Sequence, residues 1–275
     1  MNLEILLNQF KMSFIYTTEF VLMLLVFGVI FNYVEKKNSS SIYRVFGFNG
    51  LIITGLIGTV IHEFSHILFC IIFRHRILDY SLFRPYKSRY DGVMGYVNHS
   101  CNTRSLYQMV GNFFIGIAPI IFGITFLILS MWILLPNEFH NVFQTFNENM
   151  TYMANINSIK DSINIYITIV LSIINNLNPF KSHNYLLYII FIYIAYSVTT
   201  HMDLSKEDIN NSKVGFFVFF ATVYLVNFIF LLLGIKYQIF LLKVTVSIIS
   251  FLTVGLLFAI ITMLISNIIE MFLTH

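Results

Sequence analysis

His62, Glu63 and His66 stand in the stretch GTVIHEFSHILF, residues 58–69, inside an apolar run from about Leu51 to Phe73. Residues four apart share a face of a helix, so His62 and His66 can direct two imidazoles at one metal ion while Glu63 reaches a water on that metal. Zinc suits such a site, because it takes neutral imidazole nitrogens, keeps one position open and lowers the pKa of its bound water to about 7. The glutamate takes the water's proton and later passes it to a leaving amine, so the chemistry is hydrolysis. An ionisable group at the centre of a membrane helix costs on the order of 3 kcal/mol, and three together call for a purpose. Two plainer roles compete: imidazoles that hydrogen-bond neighbouring helices, and a metal or proton pathway.

The elements that must position these residues follow from composition. The chain has 275 residues, of which 57% are hydrophobic, 17% aromatic and only 11% charged. That leaves too little polar surface to coat a water-soluble globule, so lipid is the solvent for most of it. The expected fold class is an all-α polytopic membrane protein forming a single domain over residues 1–275. A net charge of +3, spread among loops, argues against nucleic acid as a partner and leaves the bilayer. Cys70 and Cys101 make no disulfide framework, and Cys70 reads as a small buried hydrophobe.

Apolar runs long enough to cross a hydrocarbon core of about 30 Å predict about six spans, near 14–34, 49–73, 109–134, 184–200, 214–235 and 239–272. The first, followed by Glu35-Lys36-Lys37, reads as a retained anchor. Residues 158–180 are broken by Asn and Ser and predict an interfacial or re-entrant helix ended by Pro179. The loop from Arg74 to Arg104 also holds Arg76, Arg84, Lys87 and Arg89 against Asp79 and Asp91, which puts it on the cytoplasmic side together with both termini. Lys36, Lys37 and Arg44 then fall in a loop on the other side. Within the basic loop, ILDYSLFRP and GVMGYVNHS alternate like two strands of a hairpin lying against the membrane surface, with Asp91-Gly92 in the turn. Gly50, Gly55 and Gly58 precede the histidines and would admit a neighbouring helix. Pro119 in GIAPI would kink the third span and free a backbone carbonyl.

A zinc motif inside an apolar helix, a hairpin-like segment after it and a following helix opening GNFFIGIAP resemble the site-2 protease class of intramembrane metalloproteases. GYVNHS, GNFFIGIAP and THMDLSKED also resemble stretches of a poorly characterised group of bacterial membrane proteins with the same motif. The resemblance implies a three-helix core, a Zn2+ cofactor and a third ligand that is an aspartate in a Leu-Asp-Gly context. No Leu-Asp-Gly occurs here, so the candidates are His75, His99, His183, His201, Asp203 and Asp208. His201, at the end of the fourth span, ranks first. Asp208 is the alternative, and Ser205 capping a new helix with Asp208 in its first turn explains that carboxylate without a metal.

The expected activity is an intramembrane zinc endopeptidase, with Glu63 as the catalytic base and His62, His66 and His201 on the metal. Its partner is a membrane-embedded or membrane-adjacent peptide, held extended by adding to a strand edge. Asn98 and Asn112 are candidate donors to the polarised carbonyl, although an interhelical hydrogen bond explains Asn112 as well. The alternative is a zinc or proton transporter using the same cluster, which predicts polar residues stacked through several helices. A non-catalytic binding protein is a third class. Richness in Asn, Ile, Lys, Phe and Tyr suggests an AT-rich bacterial genome and hence a bacterial plasma membrane.

Overall fold

The computed structural model describes residues 3–152, 159–178, 184–202, 204–235 and 237–273. The elements run α1 (Leu3–Ile72), β1 (Arg76–Ser81), α2 (Ser88–Asp91), β2 (Tyr96–Ser100), α3 (Leu106–Gly116), α4 (Ala118–Leu134), α5 (Pro136–Tyr152), α6 (Ile159–Asn176), α7 (Tyr185–Thr199), α8 (Lys206–Leu232) and α9 (Gln238–Leu273).

Helix α1 breaks once, at Gly47, whose backbone (φ 61°, ψ −156°) lies in a region that glycine alone enters readily. The break folds the helix back on itself. A Cβ at Gly50 would meet Ile42 Cγ2 at 2.8 Å, whereas eight residues of straight helix separate two positions by about 12 Å. The two arms therefore share neighbours. Asn38 Nδ2 and Ser39 Oγ of the first arm donate to Thr200, and the adjoining His201 contacts Thr54, Thr59 and His62 of the second.

The other long helices pack on these arms in opposite senses. Against the first arm α8 is antiparallel, since Gln9 bonds Leu231 O while Phe14 meets Phe220. Helix α9 is parallel to it: Asn38 bonds Thr262, Ser41 bonds Asn267 and Arg44 pairs with Glu270. The far end of α9 thus lies near the Gly47 break, at the opposite end of the first arm from Leu3. A core of Phe31, Ile124, Leu127, Phe191, Val198 and Phe258 joins α1, α4, α7 and α9.

Among the described residues, three helices are long and apolar enough to cross a membrane, namely α1, the 215–232 stretch of α8 and the 240–273 stretch of α9. The pair α3 and α4, bent by 60°, makes a fourth if taken as one. Such helices mark a membrane protein, but the count is three or four and not six. The first two apolar runs fall on the two arms of α1, with residues 35–46 helical where a loop was expected. The 184–200 run yields α7, whose 15 residues extend only about 22 Å. Residues 159–176 form a helix that buries Ile165, Ile169 and Ile173, and Pro179 lies outside the described residues.

Strands β1 and β2 pair antiparallel, Arg76 opposite Ser100 and Ser81 opposite Tyr96, so the hairpin exists. It does not lie across the end of the span. It runs back along the second arm of α1: Gly95 abuts Glu63, Met94 and Phe83 pack on Gly55, and Arg89 bonds Asn49 beside the break. The basic loop is thereby divided, with Arg74, Arg76 and Arg104 near the hairpin's base and Arg84, Lys87 and Arg89 near its tip.

Candidate metal centre

The second arm of α1 carries His62, Glu63 and His66 on adjacent positions of one face, and each imidazole is aimed by a backbone carbonyl from another element. His62 Nδ1 lies 2.7 Å from the His201 carbonyl, and His66 Nδ1 lies 2.9 Å from the Ile115 carbonyl. A carbonyl only accepts, so each Nδ1 carries a proton, and the neutral form of each ring presents a bare Nε2. The two Nε2 atoms face one another at 3.1 Å. Two nitrogens bound tetrahedrally to one zinc would be about 3.3 Å apart, from Zn–N distances of about 2.0–2.1 Å.

Both carbonyls are available for local reasons. Ile115 is four residues before Pro119, which has no N–H to return to it, and the chain bends at Ile117 between α3 and α4. His201 follows the last turn of α7, so its carbonyl has no helical partner downstream. Helix α7 is fixed to α1 just before this point. The Ser197 hydroxyl stands between the Thr54 carbonyl, to which it donates, and the Gly58 N–H, from which it accepts at 2.9 Å. A Cβ on Gly58 would lie 2.1 Å from Ser197 O, so that approach requires glycine. Of the three glycines on this arm, Gly58 admits a helix, Gly55 receives the hairpin and Gly50 folds against the first arm.

Asp208 completes the cluster. Its ligand atom and those of His62 and His66 all lie within 4.8 Å of one another. Oδ1 is 3.3 Å from His66 Nε2, while Oδ2 is 3.9 Å from His62 Nε2 and accepts the Ser205 N–H at 2.9 Å. Ser205 Oγ accepts the Asp208 N–H in return, so the capping box read from the sequence is present. One carboxylate serves both cap and cluster. Packing of α8 on α3 delivers it: a Cβ on Gly116 would meet Asp208 O at 2.7 Å, and one on Gly215 would meet Phe113 N at 2.3 Å.

His201, ranked first as third ligand, has its ring elsewhere. Nε2 lies 3.0 Å from Thr54 Oγ1 and Nδ1 lies 3.4 Å from Thr59 Oγ1, and only the backbone carbonyl of the residue reaches the cluster. Glu63 is 7% exposed, sits against Gly95 and interacts electrostatically with His62 and Asp208. Asn112 donates to Cys101 Sγ at 3.4 Å, and Asn98 pairs opposite Asp79 on β2 with its side chain exposed, so neither is brought into the cluster. His75 and His99 meet each other at the base of the hairpin. His183 and Asp203 lie outside the described residues.

Two imidazole nitrogens and a carboxylate oxygen, with a second carboxylate beside them, form a donor set of the kind that holds a divalent transition metal and leaves a position open. No protein-family model, curated protein or solved structure matches this chain.

Proposed function

We propose that this chain is a zinc-dependent endopeptidase of the membrane, with His62, His66 and Asp208 as metal ligands and Glu63 as the proton carrier. The observation that supports it best is the pair of bare Nε2 atoms at 3.1 Å, each fixed by a carbonyl on the far side of its ring. Without a cation, two acceptor lone pairs would face each other beside a carboxylate. Zinc, when bound, supplies a Lewis acid that acidifies water and polarises a carbonyl. Glu63, one position along the helix from His62, takes a proton from the attacking water and delivers it to the leaving nitrogen. The hairpin, which passes Glu63 at Gly95, holds the substrate extended along a free strand edge, where its main chain is open to attack. In this reading the substrate is a peptide within or beside the bilayer, and the membrane is the plasma membrane of a bacterium.

A second reading, a zinc or proton transporter, draws support from a buried polar seam between the first arm of α1, α7 and α9. Asn38 bonds Thr200, Thr262 and Ser266, and Ser266 bonds Tyr196, all within one residue of the His201 turn or one helix away. The seam fails to favour transport over hydrolysis because the same bonds anchor the turn that aims His62.

Glu63→Gln distinguishes the two. The endopeptidase reading expects zinc retained at one per chain and cleavage of a synthetic transmembrane peptide lowered by 10²-fold or more, about the usual contribution of a proton-transfer group. Unchanged cleavage by the variant would sink the mechanism, and metal flux into liposomes that survives the substitution would turn the case toward transport.

A further inference from the structure

Between α4, α5, α6 and α9 lies a cavity of about 460 Å³, within the range of about 300–1,000 Å³ usual for small-molecule sites. Its walls are apolar, among them Met131 of α4, Ile169 and Ile173 of α6 and Val254 of α9, and the polar residues among its described walls are Ser247 and Ser250. Water does not suit such a space, because a held water needs several polar partners. Left empty, it would deprive each wall of contacts on one side. The two hydroxyls differ. Ser247 Oγ donates to Lys243 O at 2.8 Å, and farther along Thr253 Oγ1 donates to Ile249 O at 2.7 Å, the four-back bond by which a helix satisfies its own hydroxyls. Ser250 Oγ makes no such bond and has no partner among the described residues, although Ser250 is only 3% exposed. A buried O–H without an acceptor is a cost that a ligand oxygen removes.

Helix α5 shows from which side the ligand comes. Phe139, Val142, Phe143 and Phe146 fall on the face that lines the cavity, while Asn137, Asn141, Gln144 and Glu148 fall on the opposite face and are exposed. A helix divided in this way lies in the plane of the membrane interface, its apolar face at the boundary between headgroups and acyl chains. Phe143 is itself 49% exposed, so the cavity reaches the protein surface at that level. The ester groups of glycerolipids stand at the same boundary.

We propose that this cavity holds one acyl chain of a bilayer glycerolipid, and that the Ser250 hydroxyl donates to the ester carbonyl of that chain. The aliphatic and phenyl walls match a hydrocarbon chain, and the one unpartnered donor matches one acceptor oxygen. No charged residue among the described walls offsets a carboxylate, which sets a free fatty acid aside. A chain seated there ties α5 and α6 to α4 and α9. None of the wall residues belongs to the His62, His66 and Asp208 cluster, so the site stands apart from the endopeptidase reading.

The test uses full-length protein purified in a mild detergent, stripped of lipid and titrated with dioleoyl phosphatidylglycerol, the bound lipid being counted by native mass spectrometry. One lipid per chain is expected to bind well ahead of any others. Val254→Trp and Ile173→Trp fill the cavity from two different helices, so each should remove that lipid, and the pair guards against one variant that does not fold. Ser250→Ala should weaken binding by about 5-fold, the worth of one neutral hydrogen bond. The diether analogue keeps the chains and headgroup but lacks the ester carbonyl. It should bind wild type more weakly by the same factor, and Ser250→Ala no more weakly than the diester does. Binding with no first tight lipid, folded tryptophan variants that keep it, or a diether bound by wild type as tightly as the diester would each overturn the proposal. Oleic acid that binds more tightly than the phospholipid would overturn it as well.

Discussion

At the scale of single residues, the histidine pair was legible because its geometry is local: an i, i+4 spacing fixes a shared helix face whatever the tertiary fold. The third member was not, since Asp208 reaches the pair only through the packing of α8 on α3. Its capping role, present in the structure, explained the carboxylate without a metal and placed it second to His201. The structure gives each oxygen its own task, Oδ2 on the Ser205 N–H and Oδ1 toward His66. His201, ranked first as third ligand, has its ring on Thr54 and Thr59 while its carbonyl meets His62 Nδ1. The two residues should therefore respond differently to removal. Asp208→Ala takes away a ligand atom and should reduce zinc affinity by more than 100-fold. His201→Ala keeps the carbonyl and loosens only its anchor, so the loss should stay near the lower end of the roughly 10- to 100-fold typical of outer-shell groups. Competition titration with a chromogenic chelator measures both, and equal losses would contradict the assignment.

At the scale of elements, the bend between α3 and α4 is part of the centre. A proline in a helix withholds one N–H, and here the carbonyl left over is the one that orients His66. The sequence signal was present in GIAPI, and what it could not tell was which donor would use the carbonyl. Pro119→Ala offers that carbonyl a helical partner again. The expected outcome is a straighter α3–α4 junction, more rotational freedom for His66 and zinc affinity lower by about 10- to 100-fold, with little loss of helix content by circular dichroism. Unaltered affinity would show that the Ile115 contact does not matter for binding. The hairpin teaches a different lesson. Alternation of residue types revealed its strands, but alternation carries no information about where the pair lies, and close contacts at Gly55 and Gly95 set it along α1.

At the scale of the whole molecule, hydropathy located most of the apolar segments but gave six spans, where three or four helices among the described residues are long and apolar enough to cross a membrane. An apolar run ends where polar residues begin, but Lys36, Lys37 and Ser39–Ser41 continue the helix of α1 as far as the break at Gly47. Polar groups of this stretch find partners in the fold: Asn38, Ser39, Ser41 and Arg44 bond α9 or the Thr200 turn that ends α7. Composition alone cannot anticipate such pairing across more than 150 residues of chain. The parallel course of the first arm and α9 leads to a prediction about orientation. Peptide tags fused to the two ends should be digested from opposite faces of sealed membrane vesicles, one by external protease and the other only after the vesicles are opened. Digestion of both from the same side would refute the parallel arrangement as a description of the inserted protein.

The distribution of the cluster along the chain also has a consequence for synthesis. His62 and His66 emerge from the ribosome early, the Ile115 carbonyl follows, and the His201 turn and Asp208 arrive about 140 residues later. At roughly 5–20 residues per second that interval is on the order of ten seconds. Throughout it the nascent chain holds two imidazoles but not the carboxylate or the turn that aims one of them, so a tight site cannot form. The three side chains that form the cluster therefore come together only once the start of α8 has been made.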